Sequence, residues 1–259
     1  LTGRQKEERK MLDDRILKEA ETGMKGLKVQ DARIGLGYTA ILNSGGGLGL
    51  AYTFRKSLPD RCCIYKNAGT LIGKDLADVA GLFAGGGDLI HSALGLAAIN
   101  SVTPKDTGQG QEGDVMKGLS LAGDDVVLMI GHFAPIEQEI RKITPHLHIF
   151  DDGLDRKPSG GGLDIESAME GCTVAVITAT SLINKTLDGI IEKTKKATRR
   201  VLLGPSTPLF RSAFRGEGIH MLSGMVCEDA PRILEIVSQG GGTMQIKRFA
   251  RKVNLTVEG

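Results

Sequence analysis

Apolar runs that stop on small polar residues recur through the second half of the chain, each followed by a segment with helical spacing. Val126 to Ile130 ends on Gly131-His132, His148 to Phe150 on Asp151-Asp152, Val174 to Ile177 on Thr178-Ala179-Thr180-Ser181, and Val201 to Leu203 on Gly204-Pro205-Ser206-Thr207. Apolar strands that alternate with helices build a parallel sheet covered on both faces. The alternation predicts strands at 125–130, 146–150, 173–177, 199–203 and 219–223, with helices at 135–143, 164–169, 182–196, 207–213 and 229–238. Right-handed crossovers make 3-2-1-4-5 the expected strand order, with the switch point between the first and fourth strands. Ligands of such sheets bind beyond the carboxyl ends of the strands, which is where the polar residues collect.

The first half has a different rhythm. A charged helix from about Arg4 to Glu21 carries Met11, Leu12, Ile16 and Leu17 at helical spacing. Three strand candidates follow: Val29 to Leu36, Thr39 to Leu42 continuing into Leu48 to Phe54, and Cys62 to Tyr65. Glycine turns between them suggest an antiparallel meander. Helices are expected at Gly73 to Phe83 and Asp88 to Asn100, the second apolar nearly all round and therefore buried. Thr103 to Asp114 is polar, glycine-rich and without period, which marks a linker. The expected class is α/β: a Rossmann-like parallel-sheet domain, residues 113–259, preceded by a smaller α+β domain, residues 1–112.

Composition adds exclusions. A hydrophobic share of 41% with 25% charged residues is that of an ordinary globular protein. A net charge of +2 gives no electrostatic case for nucleic acid. Of two basic clusters, Lys193 to Arg200 reads as a solvated helix end and Lys247 to Lys252 as a surface that could meet an anion. Cys62 and Cys63 are adjacent while Cys172 and Cys227 stand alone, so neither a CxxC pair nor a zinc knuckle exists, and buried thiols in a reducing compartment are expected. Leu1 to Lys10 is charged, unlike a signal peptide, and Leu89 to Ile99 is too short to span a bilayer. The expectation is a cytoplasmic protein without a membrane partner, with a homodimer as the default assembly.

Candidate chemistry lies at the strand ends. The glycine triplets at 45–47, 85–87, 160–162 and 240–242 miss the dinucleotide fingerprint, and Gly69 to Asp75 falls one residue short of a phosphate loop. Turns and hinges account for them. Gly131-His132 occupies the first Rossmann turn with a single glycine, and His132 is either a proton-transfer group, a metal ligand or a structural imidazole. Asp151 follows Gly131 by about 20 residues, where Rossmann proteins place an acid against ribose, though a loop-ordering carboxylate fits as well. Thr180, Ser181, Asn184, Ser206 and Thr207 offer hydroxyls and an amide at neighbouring strand ends, serving as helix caps or as ligand contacts.

Several motifs carry a family resemblance. Gly35-Leu36-Gly37-Tyr38-Thr39-Ala40, Ala68-Gly69-Thr70-Leu71, Leu94 to Asn100, Gly131-His132-Phe133, Ile177 to Leu187 and Leu202 to Leu209 resemble the DUF364 family, named for heavy-metal chelation and preceded by a DUF4213 domain. The likeness runs from about Arg33 to Leu255. It implies an enolase-N-terminal-like domain before the Rossmann-like one, a site made jointly by both, and a role in metal chelation or in making pterin, flavin or siderophore-like compounds. It also implies Tyr38, Thr39, Asn100, His132, Thr180, Asn184, Ser206 and Thr207 as cleft residues. The glycine-rich loop of methyltransferases is not in this chain.

Three functions follow as expectations. The first is an enzyme of condensation or hydrolysis acting on a small polar, heterocyclic or metal-chelating metabolite, with His132 moving the proton, Asn184 and Ser206 orienting a carbonyl or anion, and Tyr38 and Asn100 closing the site. The second is a non-catalytic protein that holds a divalent or heavy metal ion, or its complex, through His132 and Asp151. The third is an enzyme dependent on an adenosyl or nicotinamide cofactor.

Overall fold

The computed structural model describes residues 3–60, 62–104, 107–108, 110–113, 115–151 and 164–257. The first sheet is antiparallel, in the order β1 (Val29–Ile34), β2 (Tyr38–Asn43) and β3 (Leu48–Tyr52). The turn between β2 and β3 closes at Gly46, whose φ of +87° lies in the left-handed region that favours glycine. Thr39 to Leu42 and Leu48 to Tyr52 are therefore the two arms of a hairpin, as the glycine turn between them suggests. Cys62 to Tyr65 forms no strand, because polar groups on the outer edge of β3 are taken elsewhere: the Leu50 carbonyl accepts from Asn100 Nδ2 at 2.9 Å and the Tyr52 amide donates to Ser206 Oγ at 2.9 Å.

Helices α1 (Gly3–Met24), α2 (Leu76–Gly81) and α3 (Leu89–Asn100) belong to this half. Asp88 caps α3, accepting the amides of Ile90 and His91. The helix lies so close to β3 that a Cβ on Gly49 would stand 2.1 Å from the Ala97 carbonyl oxygen. Ile41 and Ala51 pack on the α3 side of the small sheet, whereas Tyr38, Ala40, Leu48 and Leu50 pack on the opposite side against Ile233, Leu234 and Val237.

The second sheet has the order β6 (Leu147–Phe150), β5 (Val127–Ile130), β7 (Val174–Thr178), β8 (Arg199–Leu203), β9 (Met221–Cys227), β10 (Ala250–Thr256) and β4 (Gln111–Glu112) reading inward from one edge to the other. Strands β5 to β9 are parallel; β10 runs antiparallel to β9 and β4 antiparallel to β10. In order of their appearance the five parallel strands stand 2-1-3-4-5, which corrects the expected 3-2-1-4-5. The reason is where the connecting helices pack. Ile140 of α5 (Ala134–Ile143) covers the face formed by Val127, Met129, Val174 and Val176. Ala168 and Met169 of α6 (Ile165–Gly171) cover the other face with Leu128, Ala175 and Ile177. A right-handed crossover with its helix on that second face carries the chain back past β5, so β7 pairs with the free edge of β5. The switch point lies between β5 and β7.

Other expectations shift locally. The helix expected at 182–196 is two, α7 (Thr180–Ile183) and α8 (Leu187–Lys193), broken where Lys185 adopts φ +62°. The helix at 207–213 is a short 3-10 turn, Arg211–Phe214. α9 (Ala230–Ser238) and α10 (Thr243–Ile246) precede β10, which carries Arg251 and Lys252 of the second basic cluster. In the other basic cluster Arg200 is buried, donating to the Thr194 and Gly218 carbonyls, because it sits on β8 and not at a helix end. α4 (Val115–Leu119) caps the α5 face of the sheet. Among the described residues no helix is long and apolar enough to cross a membrane. Of the cysteines only Cys172 is fully buried, Cys227 is half-buried, and Cys62 and Cys63 are exposed, so the expectation of buried thiols fails for that adjacent pair.

Candidate functional site

β5 gives way to Gly131, whose φ of +84° and whose approach to Thr178 exclude a side chain: a Cβ here would stand 2.8 Å from Thr178 Cβ. This contact is the switch point itself. His132 follows, and its Nε2 meets Glu137 Oε2 at 2.7 Å. Glu137 also accepts from Arg141 Nε at 2.9 Å, one helical turn on. The Arg141 guanidinium first, and His132 second, hold the Glu137 carboxyl below the usual carboxylate range. An ionised carboxylate on one ring nitrogen fixes the orientation of an imidazole and leaves Nδ1 as the nitrogen Glu137 does not engage.

At the end of β7, Thr178 and Thr180 share a hydrogen bond between their hydroxyls at 3.1 Å, and Ser181 Oγ donates to the Thr178 carbonyl at 2.7 Å. Asn184 closes α7, and its Oδ1 accepts from Thr186 Oγ1 at 2.8 Å. Lys185, next along, reaches across to the first half: Nζ donates to Asp13 Oδ2 at 2.8 Å and to the Phe83 carbonyl at 2.9 Å, and lies 3.6 Å from the centroid of the Phe83 ring.

The loop after β8 turns at Gly204, with φ +126°, and places Ser206 and Thr207 in the interior. Here the two halves are hydrogen-bonded to each other. Asn100, half-buried at the end of α3, donates from Nδ2 to the Leu50 carbonyl and, at 3.2 Å, to the Ser206 carbonyl. Ser206 Oγ takes the Tyr52 amide, which leaves its own proton available to donate. Two buried oxygens in this neighbourhood have no partner, Asn100 Oδ1 and Thr207 Oγ1. A buried polar atom without a partner costs about 1–3 kcal/mol, so such atoms call for a ligand or an ordered water.

The structure thus joins Asn100 directly to Ser206 and sets Gly131 against Thr178. Tyr38 pairs with Tyr52, whose amide bonds Ser206, while the hydroxyls of Tyr38 and Thr39 turn to other partners. Tyr38 OH lies 2.6 Å from Thr243 Oγ1, and burial pushes its phenol above the ordinary value. Thr39 is wholly buried and paired with Thr53 at 3.0 Å. Asp151 ends β6 half-buried; Asp152 and the triplet 160–162 lie outside the described residues. Among the described residues no group of three or more His, Cys, Asp or Glu side chains is placed to hold a metal, so the His132 and Asp151 pair gains no third donor. Sequence reasoning passed over Glu137, the edge groups of β3 and Lys185. Only Glu137 left a signal, as an acid in the first turn of the helix that His132 precedes.

Two family profiles match the chain, both described as "Putative heavy-metal chelation": DUF364 over residues 114–256 and DUF4213 over residues 17–103. An uncharacterized protein of Methanocaldococcus jannaschii is 25% identical over 243 residues, covering 89% of this chain and 91% of its own. A DUF364 crystal structure from Pyrococcus horikoshii, of unknown function, has a TM-score of 0.78 at 22% identity, covering 95% of this chain and 100% of that one. Another, from Desulfitobacterium hafniense DCB-2, has a TM-score of 0.74 at 24% identity, covering 93% and 98%.

Proposed function

Because the chain belongs to the DUF364 family, we propose that it binds a small polar metabolite, heterocyclic or metal-chelating, where the end of α3 and the edge of β3 meet the carboxyl ends of β5, β7 and β8, and that it acts on that metabolite by condensation or hydrolysis. The observation that carries this reading is the unpartnered pair of buried oxygens, Asn100 Oδ1 and Thr207 Oγ1, beside a serine whose proton remains to be given. Such a lining suits a neutral ligand edge with donors and acceptors side by side. His132 moves the proton, Glu137 holds its ring, and Asn184 with Ser206 orients a carbonyl or anionic group. Thr180 and Ser181 line the neighbouring strand end, and Tyr38 and Thr39 brace the small sheet from within.

A second reading, that the protein holds a metal complex without catalysis, is favoured by the description its family carries. His132 and Asp151 would then give one nitrogen and one oxygen. Two donors do not make a resident metal centre, so the ion would arrive as cargo with its own chelator.

Thermal stabilisation separates these readings. The protein is tested against pterins, flavins and catecholate chelators with and without divalent metal, and against adenosyl and nicotinamide cofactors. A metal-free heterocycle that raises Tm in the native protein, but not in Asn100→Ala or His132→Ala, supports the first. Stabilisation only by metal-loaded chelator supports the second. If every stabilising compound acts equally on native protein and both variants, the site lies elsewhere and both readings fail.

A further inference from the structure

Cys62 and Cys63 are consecutive, unpaired and exposed, on the irregular connection between β3 and α2. Cys63 Sγ lies 3.6 Å from the Tyr65 carbonyl oxygen, toward which it donates weakly. Tyr65 stands edge-on to His91 with ring centroids 5.4 Å apart, and His91 Nδ1 lies 2.8 Å from Asp88 Oδ1 at the start of α3. The chain beyond the pair is thereby anchored, while the backbone bends at Cys62 itself.

Covalent geometry decides what two such thiols can do. All described peptide bonds are trans, which sets neighbouring Cα atoms about 3.8 Å apart. Ordinary disulfides begin at a Cα separation of about 4.4 Å, so a direct bond between neighbours is strained. A bridge longer by one atom relieves that strain. Zinc would remain half-coordinated by two thiolates, and among the described residues no group of three or more donors stands ready to complete a shell. A soft ion such as monovalent copper prefers thiolate sulfur.

We propose that Cys62 and Cys63 form a two-sulfur site for a soft, low-coordinate metal ion, separate from the Asn100 and Ser206 site and independent of its reading. Binding a monovalent ion releases the two thiol protons to solvent and changes no oxidation state.

Phenylarsine oxide reports the pair, since its arsenic forms a stable product with two neighbouring thiols and not with one. Two As–S bonds form, two S–H bonds and the As–O bond break, water leaves, and arsenic stays trivalent. The native protein should retain one equivalent by mass spectrometry after washing with excess monothiol. Cys62→Ser and Cys63→Ser should each retain none, while the Cys172→Ser/Cys227→Ser double variant retains the full equivalent. Burial pushes the Cys227 thiol up to about 12, which keeps it out of the count. Preloading with one equivalent of cuprous ion should block uptake. Retention by either single serine variant, loss from the native protein, or uptake undiminished by cuprous ion would overturn the assignment.

Discussion

Tyr52 and Ser206, 154 residues apart in sequence, are joined by one hydrogen bond from the amide of the first to the hydroxyl of the second, 2.9 Å long. The donor is an edge group of the antiparallel sheet, and the acceptor lies on the loop after the fourth parallel strand. An exposed sheet edge invites another strand. Here a serine and an asparagine occupy that edge, and in doing so hold the two sheets in one register.

Removing that acceptor tests its weight. Ser206→Ala leaves the part-buried Tyr52 amide without its acceptor, and should lower the unfolding free energy by about 1–3 kcal/mol. Urea denaturation at fixed m-value reads the change. A loss near zero would mean that water replaces the hydroxyl and that the edge is open.

Lys185 combines a left-handed backbone with a largely buried ammonium that meets Asp13 and the Phe83 carbonyl, so Lys185→Ala should cost about 2–3 kcal/mol by removing the charge that joins them. Lys185→Gly removes the same ammonium but suits φ +62°, and should exceed the alanine variant in stability by about 1 kcal/mol. Equal melting temperatures for the two would remove the claim that the backbone is strained there.

Two glycines should respond oppositely to alanine. At Gly49 the new Cβ would meet the Ala97 carbonyl at 2.1 Å and the Ser101 amide at 2.2 Å, both backbone atoms of the α3 end, so Gly49→Ala should cost about 3 kcal/mol or prevent folding. Gly81 in α2 has nothing within 4 Å of the same position, and Gly81→Ala should raise stability by about 0.5–1 kcal/mol. Differential scanning calorimetry on both variants distinguishes local crowding from helix propensity.

Acid should act through Asp125. Burial opposes its ionisation, but the Ala122 amide, the Thr173 hydroxyl and the Arg199 guanidinium outweigh that and hold the carboxyl below its ordinary value. A group lowered on folding adds stability above its unfolded pKa, and that stability is lost as pH falls through the folded one. The native protein should therefore exceed Asp125→Asn by a constant margin at neutral pH, and the margin should shrink below about pH 4. A margin that widened in acid would reverse the sign and refute the assignment.

What the chain determines by itself is periodic and local. The runs ending at Ile130, Phe150, Ile177 and Leu203 lie on β5 to β8, and the largely apolar stretch at 89–100 is a buried helix, because burial on both faces of a strand or nearly all round a helix is written into each segment. Gly131 likewise reads as a turn before any neighbour is known. Tertiary structure alone decided the side on which α6 packs, hence the strand order and the switch point beside Thr178. It alone matched Ser206 to Tyr52, Asn100 to Leu50 and Lys185 to Asp13. These pairings satisfy edge groups and charges that any polar residue could have met, so nothing in the spacing of the sequence marks them. They exist because packing brings distant segments within hydrogen-bond reach, where an unmet donor or charge is costly.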